Sequence, residues 1–238
     1  SINKQQWHLG LLRSGKGKDA RDLWLDYDSG GGHGHADGMN LGLFAKGLDL
    51  MPEFGYPPVH YGGWGSPRAA WYTMTAAHNT VVVDGQNTRP TAGKTTLWAK
   101  GQLFKTLRMS GPELIGGKQF ERTVALVDLS PRDSYILDVF RVVGGADHAK
   151  FTHSHFGALT AQGLNLKPAP DYGHNTQMRN FSCDASPAPS WSVDWKIEDR
   201  FHYLPANSEV HLRYFDLTAD AEAITAEAWI SVGGYSGN

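Results

Sequence analysis

The fold is decided by RTVALVDLSPRDSYILDVFRVVGG, residues 122–145. Residues 122–127 and 135–143 are dominated by β-branched and aromatic side chains, which suit the pleated, half-buried surface of a sheet. Residues 128–134, with Ser130, Pro131 and Asp133, supply a turn, and Gly144 and Gly145 stop the second run. The stretch predicts an antiparallel hairpin. Working outward, residues 80–84 and 210–215 have the same make-up, and such runs, separated by Gly, Pro, Asn and Asp, recur beyond residue 80. No long window repeats apolar residues at helical spacing. The best helix candidate, residues 40–46, holds Gly42 and Phe44 and suits a strand equally. The expectation is an all-β chain, a large antiparallel β-sandwich of stacked sheets.

Composition narrows the function classes. A chain of 238 residues can bury a sizeable core without crosslinks. Its net charge of −2 gives no broad basic field, so no nucleic-acid partner is expected and an anionic ligand must be read locally. Cys183 is the only cysteine, which excludes an intrachain disulfide and a cysteine-based zinc site. No run approaches the ~18 apolar residues of a membrane span, and residues 1–7 hold no apolar centre of a signal peptide. The chain begins without Met, and residues 229–234 read as a strand running into a ragged tail, as in a piece of something longer. The organisation expected is a lead-in over residues 1–21 from a domain outside the chain, then a sandwich over residues 22–238 cut short at its C-terminal end.

The chemistry gathers in GGGHGHADG, residues 30–38, where two histidines and a carboxylate sit among glycines. On an extended segment, alternation places His33 and His35 on one face, as joint work on a metal or substrate requires. The competing reading is a polar turn. Two features favour a site: Glu53 lies eighteen positions after His35, and His78 directly precedes the strand at 80–84. Two imidazoles and a carboxylate with an open fourth position form a common zinc constellation. Between them, residues 54–71 are rich in Gly, Pro, Tyr and Trp and are expected to form a long ordered loop. Residues 160–190 are polar and hold prolines, as in a surface excursion or small lobe.

GGGHGHADGMNLGLFAKGLDLMPEFGYP, followed by WYTMTAAHNTVVVDG, resembles the C-terminal domain of heparinase II/III-like polysaccharide lyases over most of residues 22–87. DSYILDVFRVVGG, residues 133–145, resembles a strand pair of the same family, and beyond residue 160 only general β-sandwich character remains. The resemblance implies an N-terminal (α/α) toroid, absent from this chain, joined to the sandwich with the active cleft between them. It implies one zinc ion, mainly structural, on His35, His78 and Glu53, where many members have Asp. His33 matches the histidine that faces the cleft and assists the reaction. Asn79 is a partner that orients an imidazole, or an ordinary strand cap. The reaction implied is β-elimination at a uronic acid of an acidic polysaccharide such as heparin, heparan sulfate, another glycosaminoglycan or alginate, in the periplasm or outside the cell. A Tyr and a His or Asn of the toroid share that work, so the chain is expected to hold half an active site.

Further candidates are weaker. Tyr56, Tyr61 and Tyr72 offer phenols or stacking rings and Trp64 and Trp71 offer stacking faces for sugars, although all five equally suit packing of the loop onto a sheet. Arg68 is a candidate for a uronate or sulfate, against the commoner fate of a solvated arginine. His153-Ser154-His155 is a second H-x-H, read as a strand entering the sandwich in preference to a second metal site. HGHAD also meets the first five letters of the HxHxDH signature of metallo-β-lactamase-like hydrolases, but the sixth position is Gly38 and the alternating helices of that fold are missing. A metal-dependent hydrolase is therefore a lesser reading. A non-catalytic carbohydrate-binding or scaffolding sandwich with a structural zinc is the alternative from another class.

Overall fold

The computed structural model describes residues 1–31, 34–173 and 177–228, with Val59 described by its backbone alone. The chain divides into two compact units, Ser1–Phe54 with Tyr72–His153, and Gly55–Trp71 with Ser154–Asn238.

The first unit is a sandwich of antiparallel sheets. Strands β1 (Ile2–Lys4), β2 (Leu9–Ser14), β3 (Arg21–Asp26), β4 (Leu41–Ala45) and β5 (Leu48–Met51) form one sheet in sequence order. After β6 (Val81–Val83), strands β7 (Lys94–Lys100), β8 (Phe104–Ser110), β9 (Gln119–Asp128) and β10 (Ser134–Val143) form a second, and β11 (His148–Lys150) pairs with β6. The hairpin read from residues 122–145 is β9–β10, in register from Ser134 opposite Asp128 to Val143 opposite Gln119.

Period-two alternation builds the core. On β9, Phe120, Arg122, Val124 and Leu126 are buried while the residues between them are not. Leu12, Leu23, Leu25 and Leu43 of the first sheet and Leu107 and Met109 of β8 are buried as well, and β2 lies against β8 and β9. Each apolar side chain among these contributes roughly 1.5–3 kcal/mol on leaving water. The sheets pack tightly at Gly10 of β2, where a Cβ would lie 2.9 Å from Leu107 Cδ2 and 3.0 Å from Met109 Cε. Residues 40–46, open between helix and strand in the sequence, are strand β4. Gly42 is placed there for packing, because the Trp24 indole on β3 occupies the space a Cβ would take.

Residues 153–155 do not form the expected strand. Phe151 N donates to Thr80 O at 2.8 Å, and His153 N then donates to the Asn79 side chain at 2.6 Å, so single bonds replace a ladder.

The second unit holds the aromatic loop, which contains a one-turn helix, α1 (Pro67–Ala70). Ser66 caps it, its Oγ accepting from Ala69 N at 3.2 Å, and proline occupies its first turn. Strands β12 (Gly157–Gln162), β13 (Lys167–Pro168), β14 (Met178–Asp184), β15 (Ser192–Ile197), β16 (His211–Phe215) and β17 (Ala223–Ala228) make two three-stranded antiparallel sheets, β12-β15-β16 and β13-β14-β17. Residues 160–190 thus contribute strands. Among the described residues no helix is long and apolar enough to cross a membrane.

Candidate metal centre

Hydrogen bonds fix the described residues of the glycine stretch. Gly30 N donates to His35 O at 2.7 Å, Ala36 N to Thr73 O at 2.8 Å, and the Thr75 hydroxyl to Ala36 O at 2.6 Å. A Cβ on Gly34 would collide with the Gly30 carbonyl, which is why glycine stands there. His35 therefore lies on a loop, in place of the expected extended face. His33 lies outside the described residues.

Three segments of the first unit bring the ligand candidates together. His35 comes from the glycine loop, Glu53 follows β5, and His78 follows the short 3-10 turn Thr75–Ala77 ahead of β6. His35 Nδ1 is 3.2 Å from His78 Nε2 and 3.2 Å from Glu53 Oε1, and His78 Nε2 is 3.1 Å from Glu53 Oε2. A fourth group, the Asp37 carboxylate, lies within 4.8 Å of the other three ligand atoms.

The surroundings orient these groups. His78 is buried, and its Nδ1 donates to the Met74 carbonyl at 2.7 Å, which turns Nε2, the nitrogen a metal ion would take once its proton is displaced, into the cluster. Asn40 Nδ2 donates to Glu53 Oε2 at 3.0 Å while its Oδ1 accepts from Asn79 N at 2.9 Å. Behind this sits Arg122 of β9, 1% exposed, whose guanidinium donates to the carbonyls of Met39 and Asn79 and pairs with Asp138 of β10 at 2.8 Å.

Charge in the cluster is strongly coupled. Burial pushes the Glu53 carboxyl up, but the hydrogen bonds and charges of His35 and His78 together outweigh it and hold the group at about 2. Burial is the largest single influence on His78 and lowers its basicity, but the hydrogen bond and charge of Glu53, the charge of Asp37 and the Met74 carbonyl together raise it above the ordinary value. Burial also raises Asp37 to about 6, against the opposing pull of His78. The cluster thus holds a proton that a divalent cation would displace. Its size fits such an ion: a tetrahedral zinc with bonds of ~2.0 Å has ligand–ligand edges of about 3.3 Å. The three edges measured here are 3.1–3.2 Å.

Other sequence candidates are placed differently. The Asn79 side chain is turned to His153 N, and it is the Met74 carbonyl that orients the His78 ring. His153 is buried, with Nε2 at 2.8 Å from Ala76 O and its ring against Phe54 and Phe151. His155 belongs to the second unit, beside Phe156 and Phe201. Among the described residues, His35, Asp37, Glu53 and His78 form the one cluster of metal-ligating type. Trp71 and Tyr72 are corrected from sugar-stacking candidates to core residues, being 0% and 2% exposed. Tyr61 is buried under the Arg68 guanidinium, 4.0 Å above its ring. Tyr56 and Trp64 are exposed and meet edge to face at 5.2 Å.

Asp37, Asn40, Met74 and Arg122 were not read from the sequence as parts of this centre. Two carried a signal: Asp37, the carboxylate of the histidine motif, and Arg122, a charged residue in the inward register of residues 120, 122, 124 and 126.

Residues 25–162 match the family model described as heparinase II/III-like, C-terminal, over more than half of the chain. Among solved structures, a heparinase III gene product is 18% identical, with 82% of this chain and 28% of that chain covered and a TM-score of 0.48. Heparan sulfate lyase HepC from Pedobacter heparinus is 15% identical, with 92% and 34% covered and a TM-score of 0.47. A further heparinase III is 14% identical, with 95% and 36% covered and a TM-score of 0.47. The chain spans about a third of the length of these proteins. No curated protein matches it. The match contains His35, Glu53 and His78, and on its extent the chain belongs to the heparinase II/III-like C-terminal family.

Proposed function

We propose that this chain is the sandwich portion of a polysaccharide lyase that cleaves an acidic, uronic-acid-containing polysaccharide by β-elimination, with one zinc ion on His35, Glu53 and His78. The observation that carries the reading is the convergence of these three side chains from separate segments inside the family match. Zinc, when bound, supplies a fixed positive charge that ties the three segments together. The Met74 carbonyl keeps His78 Nε2 aimed inward, and Asn40 fixes one Glu53 oxygen.

Elimination requires the uronate carboxylate to be neutralised, the C5 proton removed and the departing O4 protonated. His33, two residues before His35, is assigned to charge pairing or proton transfer, for which an imidazole with a pKa of ~6.5 is suited near neutral pH. Tyr56 and Trp64 offer exposed rings for pyranose faces, and Arg68 offers a guanidinium for a carboxylate or sulfate. The other acid and base groups belong to a partner (α/α) toroid outside this chain. A polymer substrate puts the work in the periplasm or outside the cell.

The test is an elimination assay of the complete protein on heparin, heparan sulfate, chondroitin and alginate, read as ultraviolet absorbance of the unsaturated product. At least one polymer should be cleaved, and His33→Ala should keep zinc and fold while losing most of the rate. Near-normal turnover in that variant removes His33 from the reaction. The buried, hydrogen-bonded setting of His78 favours a second reading, a non-catalytic carbohydrate-binding or scaffolding sandwich with the same zinc. Zinc binding with no turnover on any uronate polymer selects it.

A further inference from the structure

Three side chains leave one corner of a tetrahedron to be filled, by water in an open site or by protein in a closed one. Asp37 is the remaining group of metal-ligating type beside the three. Its carboxylate lies within 4.8 Å of the ligand atoms of His35, Glu53 and His78. Its backbone is pinned on both sides, since Asn40 N donates to Asp37 O at 2.8 Å and Ala36 is held through both its N and its O. Among the described residues its carboxylate takes no hydrogen bond other than one from its own backbone N–H. A carboxylate that merely steadied an imidazole would occupy a ring nitrogen facing away from the cluster. On His78 that nitrogen is already taken by the Met74 carbonyl, and on His35 it is Nδ1 that faces into the cluster, toward Glu53 and His78.

We infer that Asp37 is the fourth protein ligand, so that the centre is a closed site of two imidazoles and two carboxylates without an exchangeable water. Such a ligand set neutralises a dication, which suits a partly buried site. The displacement needed is small: an atom at up to 4.8 Å from its neighbours must approach to about 3.3 Å, within the reach of a side-chain torsion. A closed shell assigns the ion to holding the loops, and it leaves the reacting sugar to be met by groups other than the metal.

This inference rests on the zinc reading above, and the experiment separates the two. The full chain is loaded with Zn2+ to measure stoichiometry and affinity, and with Co2+ to read coordination from its visible spectrum. The closed site gives one equivalent of zinc and an intense four-coordinate cobalt spectrum that added azide does not change. Asp37→Ala should weaken zinc binding by about 100-fold or more, beyond the ~10–100-fold typical of residues that only support a ligand, and its cobalt spectrum should become azide-sensitive. Asp37→Asn keeps the side-chain shape and guards against misfolding, and the azide titration of the wild-type chain needs no variant. An azide-sensitive wild-type spectrum, or zinc affinity within about twofold of wild type in both variants, overturns the Asp37 assignment and leaves the zinc in place. Failure of the wild-type chain to take up any metal overturns both readings.

Discussion

His153 is an imidazole that burial keeps neutral, bringing its pKa down to about 4 although the Ala76 carbonyl favours the charged ring. An unfolded histidine titrates near 6.5. Above pH 6.5 both states are neutral and the stability is fully present. As the pH falls from 6.5 to 4 the unfolded chain takes up a proton that the folded chain refuses, so stability is lost through that window. The shift corresponds to roughly 3 kcal/mol. His153→Phe removes the titration and keeps an aromatic ring against Phe54 and Phe151. Urea unfolding should show wild type losing about 3 kcal/mol more than the variant between pH 7 and pH 4, whereas parallel pH profiles would refute it. The letters H-x-H at residues 153–155 are those of residues 33–35, set among phenylalanines in place of glycines. What differs is the company: His35 meets residues 53 and 78, whereas His153 meets a carbonyl and two phenyl rings. Of the centre, His35, Glu53 and His78 were legible through a family resemblance, and Asp37 and Asn40 were not, because their roles depend on a turn that brings them to Glu53.

At the scale of elements, the β9–β10 hairpin does more than fill the core. Arg122 on β9 and Asp138 on β10 are paired, with side-chain exposures of 1% and 16%, and Lys150 reaches the same carboxylate at 2.8 Å. Arg122 also satisfies the carbonyls of Met39 and Asn79, the neighbours of Asn40 and His78. Strand pairing is thereby coupled to the loops that carry the ligands. Arg122→Met leaves a buried carboxylate short of one partner and two carbonyls without their donor. The cost expected is about 3–5 kcal/mol. Arg122→Met with Asp138→Leu should recover part of it, because the second change removes the stranded charge. Urea midpoints check this, and a single variant within 1 kcal/mol of wild type, on the order of a surface change, refutes the bracing role. The hairpin was legible because alternation and turn residues are local. The pairing of Val81 with Lys150 in β6–β11 was not, since no local pattern records which distant strand completes a sheet.

At the scale of the molecule, the ligands draw together segments from residue 35 to residue 78, while the sheets of the first unit stand on their own buried leucines and β9–β10 register. Removing zinc should therefore loosen the connecting loops before it melts the sandwich. A ligand at about 100 times its Kd stabilises by about 2.7 kcal/mol, which for a chain of this size corresponds to roughly 5–10 °C in melting temperature. Chelation of the zinc-loaded chain should lower the melting temperature by that amount. In hydrogen exchange, protection should fall over residues 34–40 and 73–80, where Ala36 N and His78 N are held by Thr73 and Thr75, and persist in β8, β9 and β10. Readdition of zinc should restore both. If chelation abolishes turnover of the complete protein while melting and exchange stay unchanged, the metal acts directly on the substrate. The order of loss therefore decides whether the ion serves the fold first or the chemistry first.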